Sequence, residues 1–271
     1  MAINSINTNS SVFTSLRTIN SQNSSQADTQ NRVSTGLKIA SALADASNFS
    51  IAQGLRGELR ASSAVNQGLN NTAGATSVAL AGTTALSDLA GDIQTRLVEL
   101  SNPANTVQQN ELIQQDLNRL LEQAGQFVQD SSFNGTNLLE SGAEDVETPA
   151  NADGGTLIVS GQGGVGDAVA ALQGALGGDP ATILANEFTN FEAAVNGALG
   201  SLGADQRAIQ QQTQQNQDIA DATEEGLGNI VDAELGRESA RLAAQDVQSQ
   251  LSVQTLGIAN QSTQSILGLF R

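Results

Sequence analysis

The sequence predicts a mainly α fold: a long antiparallel helical bundle or coiled coil formed by the N- and C-terminal segments, with a small irregular β-hairpin or loop region in the middle. Three observations predict it. Residues 10–140 are rich in Ala, Leu, Gln, Asn and Ser and hold a single proline, Pro103, which is the composition of long helices with one break. Residues 205–271 return to a helical apolar period. Between these flanks, residues 141–179 turn rich in glycine and acid, with one β-type run at Thr156 to Val159.

Taken in order, the first helix begins near Ser10. On a helical wheel Ile6, Phe13, Leu16, Ala27 and Leu37 fall together, with Val12, Ile19, Val33 and Ala40 on an adjoining row. Asn20, Asn23 and Gln30 interrupt the stripe, so it is too polar to fold alone and reads as a register-specifying coiled-coil seam. A second helix runs from near Ser50 to Glu99 or Leu100, through glycines that weaken it without breaking it. After the turn "SNPANT", Thr106 and Gln109 form a capping-box pattern that starts a third helix reaching Gln129. Asn134-Gly135 marks a tight turn, and Asp179-Pro180 supplies an N-cap and first helical residue for the next helix. From Asp205 the pattern stays helical, with a break expected at Gly226 and Gly228.

The last forty residues carry two stripes. Val231, Leu235, Leu242, Val253, Leu256 and Leu267 share one side, while Ala233, Ala240, Ala244, Val247, Leu251, Ile258 and Leu269 lie roughly opposite. Two stripes imply two neighbours: the chain's own N-terminal helix and a helix from another copy. The alternative is an ordinary helix buried within one domain.

Composition narrows function. The chain of 271 residues has no His, Cys, Trp or Tyr and one Met, which removes the usual general base, thiol nucleophile and soft metal ligands. A formal charge of −17 argues against nucleic acid and anionic membrane as partners. The N-terminus has neither basic nor apolar regions of a Sec-type signal peptide, so export would use another route. The one enzyme-like motif is Gly161-x-Gly163-x-x-Gly166, set between a strand-like and a helix-like stretch, with Glu187 about twenty residues on as in dinucleotide-binding turns. No further strands support a parallel sheet, and Asp167 sits where phosphate charge would arrive, so a flexible glycine loop is the favoured reading. The acidic group Glu140, Glu144, Asp145 and Glu147 lacks calcium-loop spacing and reads as a solvated charge run.

Four stretches together resemble bacterial flagellin, in a short form lacking the outer variable domains. They are "SINTNSS" (residues 5–11), "RVSTGLKIASALADAS" (32–47), "FNGTNLL" (133–139) and "ANQSTQSILGLFR" (259–271). Ala44 stands in place of the first of two paired aspartates, Thr263 in place of a proline, and Phe270 in place of a leucine.

The resemblance implies a structural subunit, not an enzyme and without cofactor, that self-assembles into the extracellular flagellar filament for motility. It implies an inner coiled-coil assembly domain of residues 1–43 plus 232–271. A helical bundle domain of residues 44–140 plus 187–231 and a short exposed variable region, 141–186, would follow. The seam expected to carry assembly comprises Ile6, Phe13, Leu16, Ile19, Val33 and Leu37, with Leu242, Val247, Leu251, Val253, Leu256, Ile258, Leu267, Leu269, Phe270 and Arg271. Implied partners are other copies of the chain, an export chaperone, the flagellar type III export apparatus, the filament cap and hook-associated proteins. A hook-filament junction protein of the same superfamily is the alternative, and a nucleotide-binding protein using Gly161, Gly163 and Gly166 is the remote one. The resemblance also aligns "RLVELS" with a stretch read by the vertebrate Toll-like receptor for flagellin. Arg96, Leu100 and Asp116 would form that epitope, with Val98 where a second arginine is usual.

Overall fold

The structure is a computed structural model and describes residues 10–268, the side chains of 260 and 262–268 excepted. Its helices are α1 (Ser10–Thr35), α2 (Ala46–Leu100), α3 (Val107–Asp130), α4 (Gly164–Gly174), α5 (Pro180–Ile183), α6 (Thr189–Val231) and α7 (Leu235–Gly268). Two antiparallel strand pairs, β1 (Ser132–Phe133) with β2 (Thr136–Asn137) and β3 (Val146–Pro149) with β4 (Thr156–Val159), lie between α3 and α4. The chain divides into two compact units, Met1–Gly57 with Ala222–Arg271, and Glu58–Asp221.

Unit Glu58–Asp221 owes its core to three helices whose buried positions recur at alternating steps of three and four. On α2 the row is Val65, Leu69, Thr72, Thr76, Ala79, Thr83 and Leu86, continuing through Ile93 and Leu97. The threonines sit inside at little cost because each hydroxyl donates to the carbonyl one turn back: Thr72 to Gly68 at 3.2 Å, Thr76 to Thr72 at 2.9 Å, Thr83 to Ala79 at 2.7 Å. Leu117, Leu121, Ala124 and Val128 of α3 continue the core, as do Phe191, Val195, Ala198, Leu202 and Ile209 of α6. Burial pushes the Asp205 carboxyl above the ordinary Asp value, against the opposing hydrogen bond from the Ser160 backbone.

The sequence motif "FNGTNLL" acts as a clasp between α2 and α3. Asn134 and Gly135 both take positive φ, 50° and 83°, which a two-residue hairpin turn requires. The Asn137 side chain donates to the Val128 carbonyl at 2.7 Å and accepts from the Leu139 amide at 2.9 Å, so it closes the end of α3. Leu138 and Leu139 then enter the core. The glycines of α2 make room for this clasp: a Cβ on Gly74 would lie 2.8 Å from the Phe133 ring, and one on Gly82 would collide with Ser131 Oγ.

Several expectations hold in detail. Thr106 and Gln109 form a full capping box, and Asp179 caps Pro180 at the first helical position through the Thr182 amide. Two are corrected. The second helix starts at Ala46 instead of near Ser50, because Asp45 is its N-cap: Oδ1 accepts from the Asn48 amide at 3.0 Å, and this bond holds the Asp45 carboxyl below its ordinary value. The glycines Gly226 and Gly228 do not break α6, which runs on to Val231; the chain turns at Asp232 instead. The region around β3 and β4 takes the hairpin form of the expected loop or hairpin, and it is anchored to the core of its unit. Gln212 and Asn216 of α6 both donate to the Ala150 carbonyl, at 2.9 and 2.8 Å, and the hydroxyls of Thr148 and Thr72 are hydrogen-bonded in the interior.

The glycines of α2 thus differ in kind, which predicts substitutions of opposite sign. Gly82→Ala is expected to destabilise unit Glu58–Asp221 by about 1–3 kcal/mol through overpacking against Ser131 and Leu139. Gly91→Ala, with open space around it, is expected to stabilise by up to about 1 kcal/mol through helix propensity. Urea unfolding of the two variants of the full chain checks both signs.

Candidate functional site

The N- and C-terminal helices meet in unit Met1–Gly57 with Ala222–Arg271. The chain enters α7 beside the exit of α1: Ala233 N–H donates to the Gly36 carbonyl at 2.8 Å, and Lys38 N–H donates to the Val231 carbonyl at 2.7 Å. Leu37 faces Asp232 across an antiparallel bridge. From this junction α1 and α7 run antiparallel.

Burial along α1 falls on Val12, Ser15, Ile19, Gln22, Gln26, Thr29 and Val33, with Arg32 beside them; the rest of α1 is exposed. Along α7 to residue 259 it falls on Glu238, Leu242, Gln245, Ser249, Ser252, Leu256 and Ala259 alone. Both rows follow the three-and-four spacing of a coiled-coil seam. Cross-helix bonds fix how they meet: Gln22 Nε2 donates to Gln248 Oε1 at 2.8 Å, Gln26 Nε2 donates to Asp246 Oδ1, and Arg32 Nη1 stands 3.7 Å from Glu238 Oε1. The two seams therefore stack in layers whose residue numbers add to 271: Val12 with Ala259, Ser15 with Leu256, Ile19 with Ser252, Gln22 with Ser249, Gln26 with Gln245, Thr29 with Leu242, Val33 with Glu238.

No layer pairs two large apolar side chains. Each bulky residue meets a small or polar one, and the middle layers are amides. Within this seam Glu238 Oε2 and Gln245 Oε1 are buried without a hydrogen-bond partner, each of which costs about 1–3 kcal/mol.

The sequence-derived seam residues divide accordingly. Ile19, Val33, Leu242 and Leu256 lie between the helices, and Leu37 lies at the junction. Phe13, Leu16, Val247, Leu251, Val253 and Ile258 do not; they are 41 to 68 % exposed. By the same register Leu16 and Phe13 share a flank of the pair with Val253, while Val247, Leu251 and Ile258 occupy the other side of α7 with Ala240 and Ala244. Ile6, Leu269, Phe270, Arg271 and the side chain of Leu267 lie outside the described residues. Sequence reasoning missed the polar half of the seam, Ser15, Gln22, Gln26, Thr29, Glu238, Gln245, Ser249 and Ser252. Their signal was the spacing itself, which a search for apolar residues cannot see.

Elsewhere, Arg96 and Asp116 are brought together. Arg96 Nη1 lies 2.7 Å from Glu99 Oε2 and Nη2 lies 3.1 Å from Asp116 Oδ2, and the hydrogen bond to Glu99 followed by the two negative charges holds the guanidinium pKa above its ordinary value. Leu100 is half-buried against the core and Val98 is exposed.

The glycine motif is not a phosphate cradle. Its strand belongs to an antiparallel pair, and the Gly166 amide donates to the Leu139 carbonyl at 3.0 Å, the Asp167 amide to the Gly163 carbonyl at 3.0 Å. A Cβ on Gly161, Gly163 or Gly166 would collide with backbone of residues 139–144, so these glycines permit close packing and are neither a flexible loop nor open to an anion.

Comparison with known proteins agrees with the helical ends. Residues 6–143 match the model of the bacterial flagellin N-terminal helical region, and residues 189–270 match that of the C-terminal helical region. The chain is 35% identical to a flagellin of Brucella melitensis over 98% of this chain and 99% of the relative. It is 30% identical to flagellin FljM of Caulobacter vibrioides over the whole of both chains. Among solved structures, Bacillus cereus flagellin aligns with 65% of this chain and 94% of its own at 14% identity and a TM-score of 0.36. The relatives bear the name flagellin and not that of a hook-associated protein.

Proposed function

Since the chain belongs to the bacterial flagellin family and is a structural subunit of the extracellular flagellar filament, we propose that the α1–α7 pair is the element by which one copy holds the next. The observation that carries this reading is the distribution of apolar surface. The inner seam is poor in it, while Phe13, Leu16, Val247, Leu251, Val253 and Ile258 present it outward on two sides. Apolar faces on two sides of one element suit head-to-tail contacts that do not close, which propagate a filament.

Charge supports the same reading. Residues 1–57 and 222–271 hold seven basic and eight acidic residues, whereas residues 58–221 hold four and twenty. Copies can therefore bring the near-neutral helix pairs together without long-range repulsion, while the acidic remainder keeps free chains soluble. Added salt screens that remainder and favours growth.

The same membership supports the finer partners: export by the flagellar type III apparatus, a chaperone covering the apolar side of α7 before assembly, addition beneath a filament cap, and attachment to hook-associated proteins. The group Arg96, Leu100 and Asp116 is our proposal for the surface that a flagellin-sensing Toll-like receptor reads. Its single guanidinium is engaged by two carboxylates and Val98 supplies no second one, so a receptor reporter assay is expected to give weak activation that Val98→Arg raises; strong activation by the unchanged chain contradicts this.

Removing residues 251–271 takes away Leu251, Val253 and Ile258 and leaves unit Glu58–Asp221 intact. The truncated chain is expected to stay soluble and helical by circular dichroism, yet to yield no filaments on sedimentation and electron microscopy in high salt. Normal filaments from it would overturn the assembly role of α7.

A further inference from the structure

The middle of the helix pair poses a question that assembly alone does not answer. The backbone bonds at Gly36, Lys38 and Val231 set α7 beside α1 at the junction alone; beyond it, a seam of alternating small, polar and isolated apolar residues has little of its own to hold α7 at one height, because a slide of one heptad preserves the three-and-four spacing. We propose that Gln22 and Gln245, with Gln26, Asp246 and Gln248 around them, form a register key that fixes α1 and α7 against such slides.

The argument rests on what each amide meets in each register. In the observed register Gln22 faces Ser249 and Gln245 faces Gln26, so amides and a hydroxyl share the two middle layers. The flanking bonds close the set: Gln22 Nε2 to Gln248 Oε1 at 2.8 Å and to the Gln245 carbonyl at 3.4 Å, and Gln26 Nε2 to Asp246 Oδ1. Sliding α7 by one heptad in one direction sets Gln22 against Leu242 and Gln245 against Ile19. Sliding it the other way sets Gln22 against Leu256 and Gln245 against Val33. In both alternatives both amides are pressed against bulky apolar side chains: Gln22 loses its Gln248 partner, and Gln245, whose Oε1 is already without a hydrogen-bond partner, loses the polar Gln26 beside it. Two residues thus exclude the slide in both directions, and no other pair of seam residues does so.

This also accounts for the poverty of the seam. Apolar side chains at Gln22 and Gln245 would tighten the pair in any register, whereas the amides give up strength and favour one register only. A slide of one heptad moves Val253 by about 10 Å relative to Leu16, at 1.5 Å per residue, and so would take apart the mixed flank that Phe13, Leu16 and Val253 form together. The consequence for assembly rests on the function proposed above; the register itself does not.

The test reads register directly on the free full-length chain. The sequence has no cysteine, so Thr14→Cys and Ser239→Cys provide two unique spin-label sites well separated along the pair. Pulsed dipolar spectroscopy is carried out with trimethylamine N-oxide present, which strengthens burial without supplying a second chain. The otherwise unchanged chain is expected to give one dominant distance. Gln22→Leu with Gln245→Leu is expected to add populations shifted by about 10 Å along the pair axis, because each slide then stacks leucine on Leu242, Leu256, Ile19 or Val33. Ser252→Leu, which adds an apolar group against Ile19 and keeps both amides in their layers, is expected to retain the single distance, so that added hydrophobicity alone is separated from loss of the key. A double leucine variant with only the original distance, a parent chain with no dominant distance, or a Ser252→Leu chain that shifts as the double variant does would overturn the proposal. Polymerisation is not needed for the reading, so failure of the assembly proposal leaves this result standing.

Discussion

The constraint on which the rest depends is the seam between α1 and α7, where the three-and-four spacing of a coiled coil is kept but its usual apolar content is not. Spacing without content gives geometry without strength. Ile19 packs on Ser252 and Leu256 on Ser15, so each layer buries little apolar area relative to a paired leucine layer. Ordering sixty helical residues costs conformational entropy at every one, and the apolar area that could offset it sits on the outer faces. A pair built in this way is expected to be marginal alone and firm when neighbours cover those faces.

Unit Glu58–Asp221 follows the opposite rule with the same spacing. Its rows on α2, α3 and α6 place leucine, isoleucine, valine and phenylalanine inside, and the hydroxyls and amides that tie its elements together find partners. Thr72, Thr76 and Thr83 return to their own helix, and Gln212 and Asn216 hold the hairpin. Unpartnered buried oxygens occur in both units, on Asn66, Glu187, Asp205 and Gln206 as on Gln245 and Glu238, so the contrast between the units lies in the apolar content of their rows.

Much of this could be read from the sequence, and the parts that could not have a common cause. Helix starts with side-chain caps, Thr106 with Gln109 and Asp179 with Pro180, were legible because local chemistry decides them. Asp45 was overlooked as a cap although it obeys the same chemistry. Propensity alone reads Gly226 and Gly228 as a break, but each costs only about 1 kcal/mol relative to Ala, which a helix of 43 residues absorbs. The roles of Gly74 and Gly82 depend on Phe133 and Ser131, more than forty residues away, and no local pattern announces them. The apolar rows of the terminal helices were found, yet which row faces inward was not: Val12, Ile19 and Val33 won over Phe13 and Leu16 because only they share a heptad with Gln22, Gln26 and Thr29. An apolar period marks only part of this seam, because half of it is polar.

If the seam is marginal in one chain and completed by others, backbone amide hydrogen exchange must differ sharply between the free chain and the filament. The account predicts that amides of α1 and α7 in the free chain are protected at least about 100-fold less than those of α2 and α3 in unit Glu58–Asp221, and that assembly removes most of this gap. Protection of α1 and α7 in the free chain equal to that of α2 and α3 would contradict it.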